Sequence, residues 1–420
     1  NYMSLIKNSS WNIFGLALPL LMAIPVMGIL ARLLGVERFG LFTIAYALMG
    51  YASVFDGGLS RAVIRFVSTH RNDEKRVNAI LGTSLYAVTG LSIIIVLLAY
   101  FFAPSLAHFL NVSPDLFNEL TLALRLLVLC VPALLLTQVW RAYLEGVEKF
   151  SSLNIQQVTT SPFIILLPLF AVFYSPTLTS AVCGLVAGRW IVALISWKVC
   201  ASHLKEFRRI FRKDIFSELM SFGGWVTLSN IIGPLMGFVD RFAVSHFSGA
   251  SIVAHYSGPS DMVARLALFP GAVARALFPK LSYSESKDSH SVYCRTLWSV
   301  FIFSILLATP FFIFSSEILG LWLGKEYMGD AAQIFRILLL GFVFNSVAQI
   351  CFAKIQSAGH AKWTGIIHII EFFPYMLILY YLTTTYSIYG AAAAFLLRSF
   401  ADYLILFYVE KVGIRMKAGG

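Results

Sequence analysis

The hydrophobic pattern of this chain is a series of long apolar segments separated by short polar links. A helix needs about 20 apolar residues to cross the hydrocarbon core of a bilayer, and most of these segments reach that length. Lipid offers backbone groups no hydrogen-bond partners, and the segments lack the period-two alternation of barrel strands, so helices are the predicted spanning elements. The twelve predicted spans are residues 9–32, 40–66, 79–103, 117–141, 153–174, 177–199, 218–246, 251–279, 293–315, 331–355, 363–383 and 387–409.

The polar links between these spans alternate in charge. Every second link is rich in Lys and Arg, whereas the links between them are poor in cations. Under the positive-inside rule this alternation predicts that the basic links and both termini are cytoplasmic. The basic residues that decide the orientation are Arg71, Lys75, Arg76, Arg141, Lys149, Lys205, Arg208, Arg209, Arg212, Lys213, Lys280, Lys287, Arg295, Lys354 and Lys362.

The composition agrees with a chain whose core is the bilayer. Hydrophobic residues make up 58% of the chain and charged residues 13%, against about 25% charged residues in globular domains. The net charge of +11 is explained by cytoplasmic basic links and contact with anionic lipid, so we expect no nucleic-acid partner. The five cysteines have no metal-ligand spacing. The predicted fold class is an all-α polytopic membrane protein.

The sixth link has a pattern of its own. Leu204, Phe207, Phe211 and Ile215 recur at helical spacing with Lys and Arg between them. This pattern favours a basic amphipathic helix on the inner membrane face, with a solvated linker as the alternative. The predicted organisation is therefore an N-terminal half over residues 1–200, a cytoplasmic linker over 201–217 and a C-terminal half over 218–420.

The two halves show a weak internal repeat. Aligning Gly35 with Gly249 brings further identical residues together at a nearly constant offset. Six spans in each half give both halves the same topology, related by an axis along the membrane normal. This architecture predicts two helix bundles that rock around a central path. The matched pairs include Gly57 with Gly271, Arg61 with Arg275, Arg125 with Arg336, and Gln138 with Gln349.

Arginines within the predicted spans are the first candidates for function. Charged residues at that depth usually face a bundle interior or a water-filled cavity. Arginine suits phosphate, because its planar guanidinium binds oxygen pairs and never deprotonates. The set predicts a cavity that takes an anionic or phosphate-bearing substrate. The candidates are Arg32, Arg61, Arg125, Arg189, Arg241, Arg265, Arg275, Arg336 and Arg398.

Some of these arginines have a simpler interpretation. Arg265 lies four residues after Asp261 and Arg398 four before Asp402, so each could pair locally on its helix. Arginines near helix ends could instead extend to lipid headgroups. Three arginines have no acidic residue within four positions in their spans and are the better candidates for a cavity: Arg125, Arg189 and Arg336.

Acidic residues within the spans are candidates for coupling to an ion gradient. Desolvation favours the protonated form of a carboxylate, whereas an arginine partner keeps it ionised. Asp56 precedes Gly57 and Gly58 in the second span, where the backbone could open. A purely structural role is the alternative for each acid. The candidates are Asp56, Asp240, Asp261, Glu371 and Asp402.

Signatures of catalysis are missing from the sequence. We find no P-loop, no H-E-x-x-H, no C-x-x-C and no serine nucleophile elbow. The sequence therefore predicts no catalytic residue, no metal ligand and no cofactor other than a transported H⁺ or Na⁺. A transporter is favoured over an enzyme or an ATP-driven pump.

Five short motifs, placed in order relative to the spans, carry a family resemblance. Over essentially its whole length the chain resembles the O-antigen type of polysaccharide flippase in the multidrug/oligosaccharidyl-lipid/polysaccharide (MOP) exporter superfamily. The motifs are Arg32-Leu-Leu-Gly35 with Phe39-Gly40, Glu145-Gly146-Val-Glu-Lys149-Phe, Asp240-Arg241, Leu277-Phe-Pro-Lys-Leu281 and Gln356-Ser-Ala-Gly-His-Ala-Lys362.

The resemblance implies a fold and a function. It implies two six-helix lobes in a V and a cationic central cavity. It also implies alternating-access transfer of a lipid-pyrophosphate-linked oligosaccharide to the outer leaflet of a bacterial inner membrane, in lipopolysaccharide biosynthesis. The implied partners are that substrate, membrane lipids, and the polymerase and chain-length proteins of the same pathway.

Two other functions remain open from the sequence. A cation-coupled multidrug exporter of the same superfamily is the first, and the arginine-rich spans argue against it. A membrane-embedded polymerase or ligase is the second. Such an enzyme usually needs a large outer loop with carboxylates, and the largest outer link here, residues 103–116, is short.

Overall fold

The protein is almost entirely helical. Its structure, a computed structural model, describes residues 19–52, 58–204, 210–230, 232–283, 286–357 and 361–413, and these ranges contain no strand. Seven helical stretches within them are long and apolar enough to cross a membrane. The predicted all-α polytopic class is therefore confirmed.

The helices follow the predicted spans closely. The first eight are α1 (Pro19–Leu34), α2 (Val36–Ala52), α3 (Leu59–Thr69), α4 (Glu74–Phe109), α5 (Phe117–Leu127), α6 (Cys130–Gly146), α7 (Phe150–Tyr174) and α8 (Leu178–Ala201). The next eight are α9 (Lys213–Asn230), α10 (Ile232–Ser248), α11 (Val253–Leu266), α12 (Leu268–Tyr283), α13 (Ser286–Ile313), α14 (Ser315–Trp322), α15 (Asp330–Ser357) and α16 (Ala361–Gly413).

Several predicted spans consist of two helices separated by a break. The fourth span divides into α5 and α6 near Pro132, which lacks an N–H and lies in the first turn of α6, where that N–H has no helical partner to lose. In the second span α3 begins after Gly58, whose φ of 63° lies in the left-handed region that favours glycine. α16 breaks at Ser387, where φ is 55°, and so supplies both the eleventh and the twelfth span.

Local structure repeats between the two halves. Gly35 and Gly249 both have positive φ, 77° and 96°, at matched positions between helices. A 3₁₀ turn at Pro114–Leu116 precedes α5, and another at Lys325–Tyr327 precedes α15, at the offset that pairs Arg125 with Arg336. These shared breaks support the internal repeat inferred from few identities.

The chain divides into two compact units, Asn1–Leu235 and Met236–Gly420. The first unit includes α9, although the expected boundary at residue 218 assigned that helix to the second half. Within this unit Glu218 of α9 forms an ion pair with Arg76 at 3.2 Å, and the Phe222 ring lies 4.7 Å from the Arg65 guanidinium. The first half of the seventh span therefore packs with α3 and α4.

The sixth link differs from its prediction. Ile210–Arg212 form no helix, and regular helix resumes only at Lys213. Residues 205–209 lie outside the described residues, so the rest of the predicted amphipathic helix is not described. The Thr83 hydroxyl on α4 donates to the Ile210 carbonyl at 3.4 Å and accepts from the Arg212 N–H at 3.1 Å. These bonds satisfy the backbone of the link without a helix.

Close packing of α7 on α8 depends on two glycines one turn apart. A Cβ built on Gly184 would lie 2.6 Å from the Leu167 carbonyl carbon, and one on Gly188 would lie 2.7 Å from the Phe163 carbonyl oxygen. Small residues at this spacing let helix backbones approach within a membrane, where lipid provides little hydrophobic driving force for association. Gly184 and Gly188 form a Gly-x-x-x-Gly motif that is not among the sequence predictions.

Adding one methyl group at this contact should destabilise the first unit. We expect Gly184→Ala to lower the free energy of unfolding by about 1–3 kcal/mol, because the new Cβ meets rigid backbone. Gly90→Ala is the matched control, since nothing lies within 4 Å of a Cβ at that helical glycine. Thermal unfolding of the purified protein in detergent measures both variants. Equal unfolding temperatures for the two would show that α7 and α8 separate easily.

Candidate functional site

Arg125 is a half-buried cation without a carboxylate partner among the described residues. It occupies the last turn of α5, directly before the break that leads to α6. Its Cζ lies 4.8 Å from the centre of the Tyr100 ring, a cation–π contact. Its Nε is buried and has no hydrogen-bond acceptor in the part of the chain that the structure describes. The guanidinium therefore has an unmet hydrogen bond and no counter-charge within the described chain.

Arg189 on α8 has the same property and lies near the same break. Its Nε is also buried with no acceptor among the described side chains and backbone. The side chain lies near Cys130, the first residue of α6. The neighbouring Trp190 donates its indole N–H to the Leu129 carbonyl at 3.0 Å, which fixes α8 against the break. Two unpaired arginines thus flank one interruption in the first unit.

Arg241 of the second unit has a carboxylate partner, although its Nε, like that of Arg125, is buried without an acceptor among the described residues. It is 5% exposed and forms an ion pair with Asp261 of α11. Asp240 is also buried; its carboxylate accepts the Arg241 backbone N–H at 2.9 Å and the Tyr256 hydroxyl. A buried, paired guanidinium with hydrogen-bonded acid neighbours is typical of a structural role, so Arg241 is a weaker candidate for an anion than Arg125 and Arg189.

The two local pairs expected on helices do not form. Asp261 gives its carboxylate to Arg241, and Arg265 instead donates to the Asp261 backbone carbonyl at 3.2 Å. Arg398 donates to the Met236 carbonyl at 2.9 Å. In the first case the partner of the Asp261 carboxylate is Arg241, which lies on another helix and meets it in a more buried position.

Arg336 is held by uncharged acceptors where α13 meets α14. Its Nε donates to the Phe312 carbonyl at 3.1 Å and to the Ser315 hydroxyl at 2.9 Å. These bonds satisfy a carbonyl at the C-terminal end of α13 that the helix itself leaves free. Arg336 therefore matches Arg125 in the repeat but differs from it in having acceptors.

Three titratable side chains cluster in the second unit. His368 and Glu371 lie in the first part of α16 and Asp402 in the second part, and their ligand atoms lie within 4.8 Å of one another. The Glu371 and Asp402 carboxyls lie side by side, one from each part of α16. Each of the three residues keeps one buried polar atom without a partner in the described chain. This cluster can hold a proton or a small cation.

The remaining candidates are placed as follows. Arg32 on α1 and Arg61 on α3 are exposed. Asp56 and the Arg275 side chain lie outside what the structure describes. The structure thus brings together Glu371 with Asp402, Arg241 with Asp261, and Arg125 with Arg189 around one break.

Sequence reasoning missed a carboxylate network at the predicted outer ends of the first unit. Glu119 accepts three hydrogen bonds from the Arg38 guanidinium at 3.0–3.2 Å and one from the Leu178 N–H at 2.6 Å. Glu37 accepts from the Ser113 N–H at 2.9 Å and from its hydroxyl at 2.6 Å. These bonds tie the first, third and fifth links together. The available signal was a charged pair, Glu37 and Arg38, in a link with few charges.

Comparison with known proteins gives consistent matches in sequence and in fold. Residues 5–285 match the family described as "Polysaccharide biosynthesis protein". A relative from Shigella flexneri named "Putative O-antigen transporter" is 40% identical over 405 residues, which is 96% of this chain and 97% of that protein.

Two solved structures have the same fold at low identity. The "Lipid II flippase MurJ" in an inward closed conformation matches with a TM-score of 0.80 at 16% identity, over 97% of this chain and 88% of that one. An inward-facing multidrug resistance MATE family transporter of the MOP superfamily matches with a TM-score of 0.78 at 15% identity, over 97% of this chain and 98% of that one. The resemblance inferred from the motifs is confirmed for family and fold.

Paired and unpaired arginines should differ in what they contribute to stability. Arg241→Met leaves the carboxylates of Asp240 and Asp261 buried without their cation, and we expect a loss of about 3–5 kcal/mol. Arg189→Met removes a cation that has no described carboxylate partner, so the unfolding temperature should stay the same or rise. Thermal unfolding without substrate compares the two variants. A loss of stability in Arg189→Met as large as that in Arg241→Met would contradict the assignment.

Proposed function

Because the chain belongs to the polysaccharide biosynthesis protein family, we propose that it is a flippase for a lipid-pyrophosphate-linked oligosaccharide. In this proposal it carries an O-antigen-type repeat unit from the inner to the outer leaflet of a bacterial inner membrane, with both termini cytoplasmic. The observation that carries the proposal is the pair of half-buried arginines, Arg125 and Arg189, without described carboxylate partners.

A pyrophosphate is the ligand chemistry that suits this pair. An unpaired anion that leaves water for a medium of low dielectric meets a large desolvation penalty. Guanidinium groups replace the lost hydration with directed, charge-assisted hydrogen bonds to phosphate oxygens. The same penalty applies to an arginine held without a partner, so the anion and the two cations stabilise one another. The lipid-pyrophosphate therefore explains why two costly cations are retained near one helix break.

The other candidate arginines are less suited to hold the anion at this site. Arg241, Arg336 and Arg398 already donate to acids or carbonyls within the second unit. Arg32 and Arg61 are exposed and could contact the anion before or after it reaches the pair. Arg275 remains a candidate by its repeat relation to Arg61.

We assign coupling to H⁺ or Na⁺ to Glu371 and Asp402, with His368 beside them. Two adjacent buried carboxylates cannot both ionise cheaply, so a proton or a small cation shared between them lowers their energy. They also connect the two parts of α16 across the break at Ser387. Asp240 and Asp261 are less suited, because Arg241 and Tyr256 already compensate them. Asp56 stays a further candidate.

The proposed partners follow from the substrate. The lipid-linked oligosaccharide and the surrounding membrane lipids contact the protein directly. A polymerase and a chain-length protein would receive the repeat unit in the outer leaflet. The drug-exporter alternative is disfavoured by the unpaired arginines, which suit an anion better than a cationic drug.

Removing either unpaired arginine should stop export without unfolding the protein. Each arginine contributes charge-assisted hydrogen bonds of about 1.5–3 kcal/mol, so Arg125→Ala and Arg189→Ala should each lower flipping about tenfold to a hundredfold. Lysine should rescue in part, because it keeps the charge and loses the fork. The measurement is transfer of a lipid-linked oligosaccharide in proteoliposomes. Arg71→Ala, which removes an exposed arginine paired with Glu148, is the control. Normal transfer by the double alanine variant would place the anion elsewhere.

Neutralising the carboxylate cluster should separate transport from its driving gradient. We expect Glu371→Gln and Asp402→Asn to abolish the acceleration of flipping by an imposed H⁺ or Na⁺ gradient, because neither amide exchanges a proton or holds a cation strongly. Proteoliposomes with controlled internal and external pH and Na⁺ provide the measurement. Glu317→Gln, at an exposed position on α14, should keep the full gradient response. An intact response in both cluster variants would assign coupling to other acids.

A further inference from the structure

A groove of about 430 Å³ lies within the first unit between α4, α6 and α8. Its volume is in the range of small-molecule sites. Four rigid aromatic side chains contribute to its walls, Tyr86, Trp140, Trp190 and Trp197, together with Leu194. The first unit alone forms it, and the mechanism proposed above does not use it.

Two helices contribute matching stripes to this groove. On α8 the lining residues Trp190, Leu194 and Trp197 follow helical spacing, and on α4 Tyr86 and Thr89 do the same. A stripe from Trp190 to Trp197 extends over two helical turns, about 10 Å. The groove is therefore elongated along the helices, which suits a chain better than a compact ligand.

Two polar groups of the groove, on Thr89 and Trp190, are already satisfied. The Thr89 hydroxyl donates to the Leu85 carbonyl at 2.7 Å, and the Trp190 indole donates to the Leu129 carbonyl at 3.0 Å. The surface offered to a ligand is thus mainly aromatic and aliphatic. Sugars and peptides carry many hydrogen-bonding groups that such walls would leave without partners. A hydrocarbon chain fits this surface without that cost.

Basic residues lie at one end of the groove. Exposed Lys198 directly follows Trp197 near the end of α8. The sixth link passes the same end, where the Phe211 ring contacts Tyr86 at 6.2 Å and Arg212 bonds Thr83. Arg212 is exposed and forms an ion pair with Asp214. The hydrogen bond from Arg212 lowers the pKa of the Asp214 carboxyl. By the alternation of basic links this end is cytoplasmic.

We propose that the groove binds the hydrocarbon chain of the lipid-linked substrate, with the phosphate at the basic cytoplasmic end. This proposal rests on the proposed flippase function. An apolar chain beneath a cationic rim matches a lipid whose headgroup is anionic and cytoplasmic. At its other end the groove reaches Trp190, the neighbour of Arg189.

Photocrosslinking tests the groove without any sugar. The full chain in nanodiscs is labelled with a polyprenyl phosphate that carries a photoreactive group on its chain, and labelled peptides are mapped. Labelling should fall on α4, α6 and α8, and excess unlabelled polyprenyl phosphate should suppress it. The same excess of dioleoyl phosphatidylglycerol should not suppress the labelling. Equal competition by phosphatidylglycerol, or labelling elsewhere, would overturn the proposal, since the groove would then be an ordinary lipid surface.

Variants of the groove sharpen the test. Trp140→Ala and Trp197→Ala should reduce labelling several-fold, and Leu194→Trp should do so by filling the groove from an exposed position that is easily tolerated. Trp298→Ala, on α13 in the second unit and 61% exposed, is the matched control and should label as the native protein does. Unchanged labelling in Leu194→Trp and both alanine variants would also overturn the proposal.

The outcome for the groove is distinguishable from that for the flippase. Specific labelling that the groove variants reduce, in a protein that does not transfer lipid-linked oligosaccharide, would retain the groove and reject the proposed function. Normal transfer with no specific labelling would reject the groove and retain the proposed function.

Discussion

A cation in a membrane-spanning helix needs a partner, because hydrocarbon supplies neither counter-charge nor hydrogen-bond acceptors. The second unit meets this constraint internally. Arg241 takes a carboxylate from Asp261, and Arg336 takes a carbonyl and a hydroxyl where two helices meet. The first unit leaves the constraint unmet at Arg125 and Arg189, which have no carboxylate partner in the described chain. In the proposed function an external anion completes this site, and the proposed substrate chemistry follows from this difference between the two units.

Broken helices bring these groups into position. The interruption between α5 and α6 lies near Pro132, and it places Arg125 at a helix end while Trp190 anchors α8 beside it. In the second unit the break at Ser387 divides α16, and the carboxylates of Glu371 and Asp402 meet from its two parts. Backbone irregularity at membrane depth is tolerated where it is buried in protein or lines a cavity. The proposed anion site and the proposed cation site therefore both lie at interruptions of regular helix, in different units.

Hydropathy, link charge and glycine positions predicted the spans and the repeat, because these depend on residue type and period alone. The positive φ of Gly249 beside that of Gly35 shows that a weak identity marked a shared backbone feature. Side-chain partners were less predictable, since they depend on which helices pack together. Arg265 was expected to pair with Asp261, yet Arg241 reaches that carboxylate from another helix. His368 was not among the sequence candidates, because an isolated histidine usually has a structural role. It lies beside Glu371 and Asp402 only in the tertiary fold. The amphipathic spacing of the sixth link likewise did not anticipate that Thr83 would satisfy its backbone.

The most direct test of the unpaired arginines is the affinity of the purified protein for a short-chain prenyl pyrophosphate relative to the matching prenyl alcohol, which differs only in the anionic group. If Arg125 and Arg189 complete their hydrogen bonding with the anion, the native protein should bind the pyrophosphate at least about tenfold more tightly, a difference of about 1.4 kcal/mol. That preference should disappear when both arginines are replaced by alanine, while the alcohol binds as before. A preference that persists undiminished in the double variant would show that the anion is held by other groups.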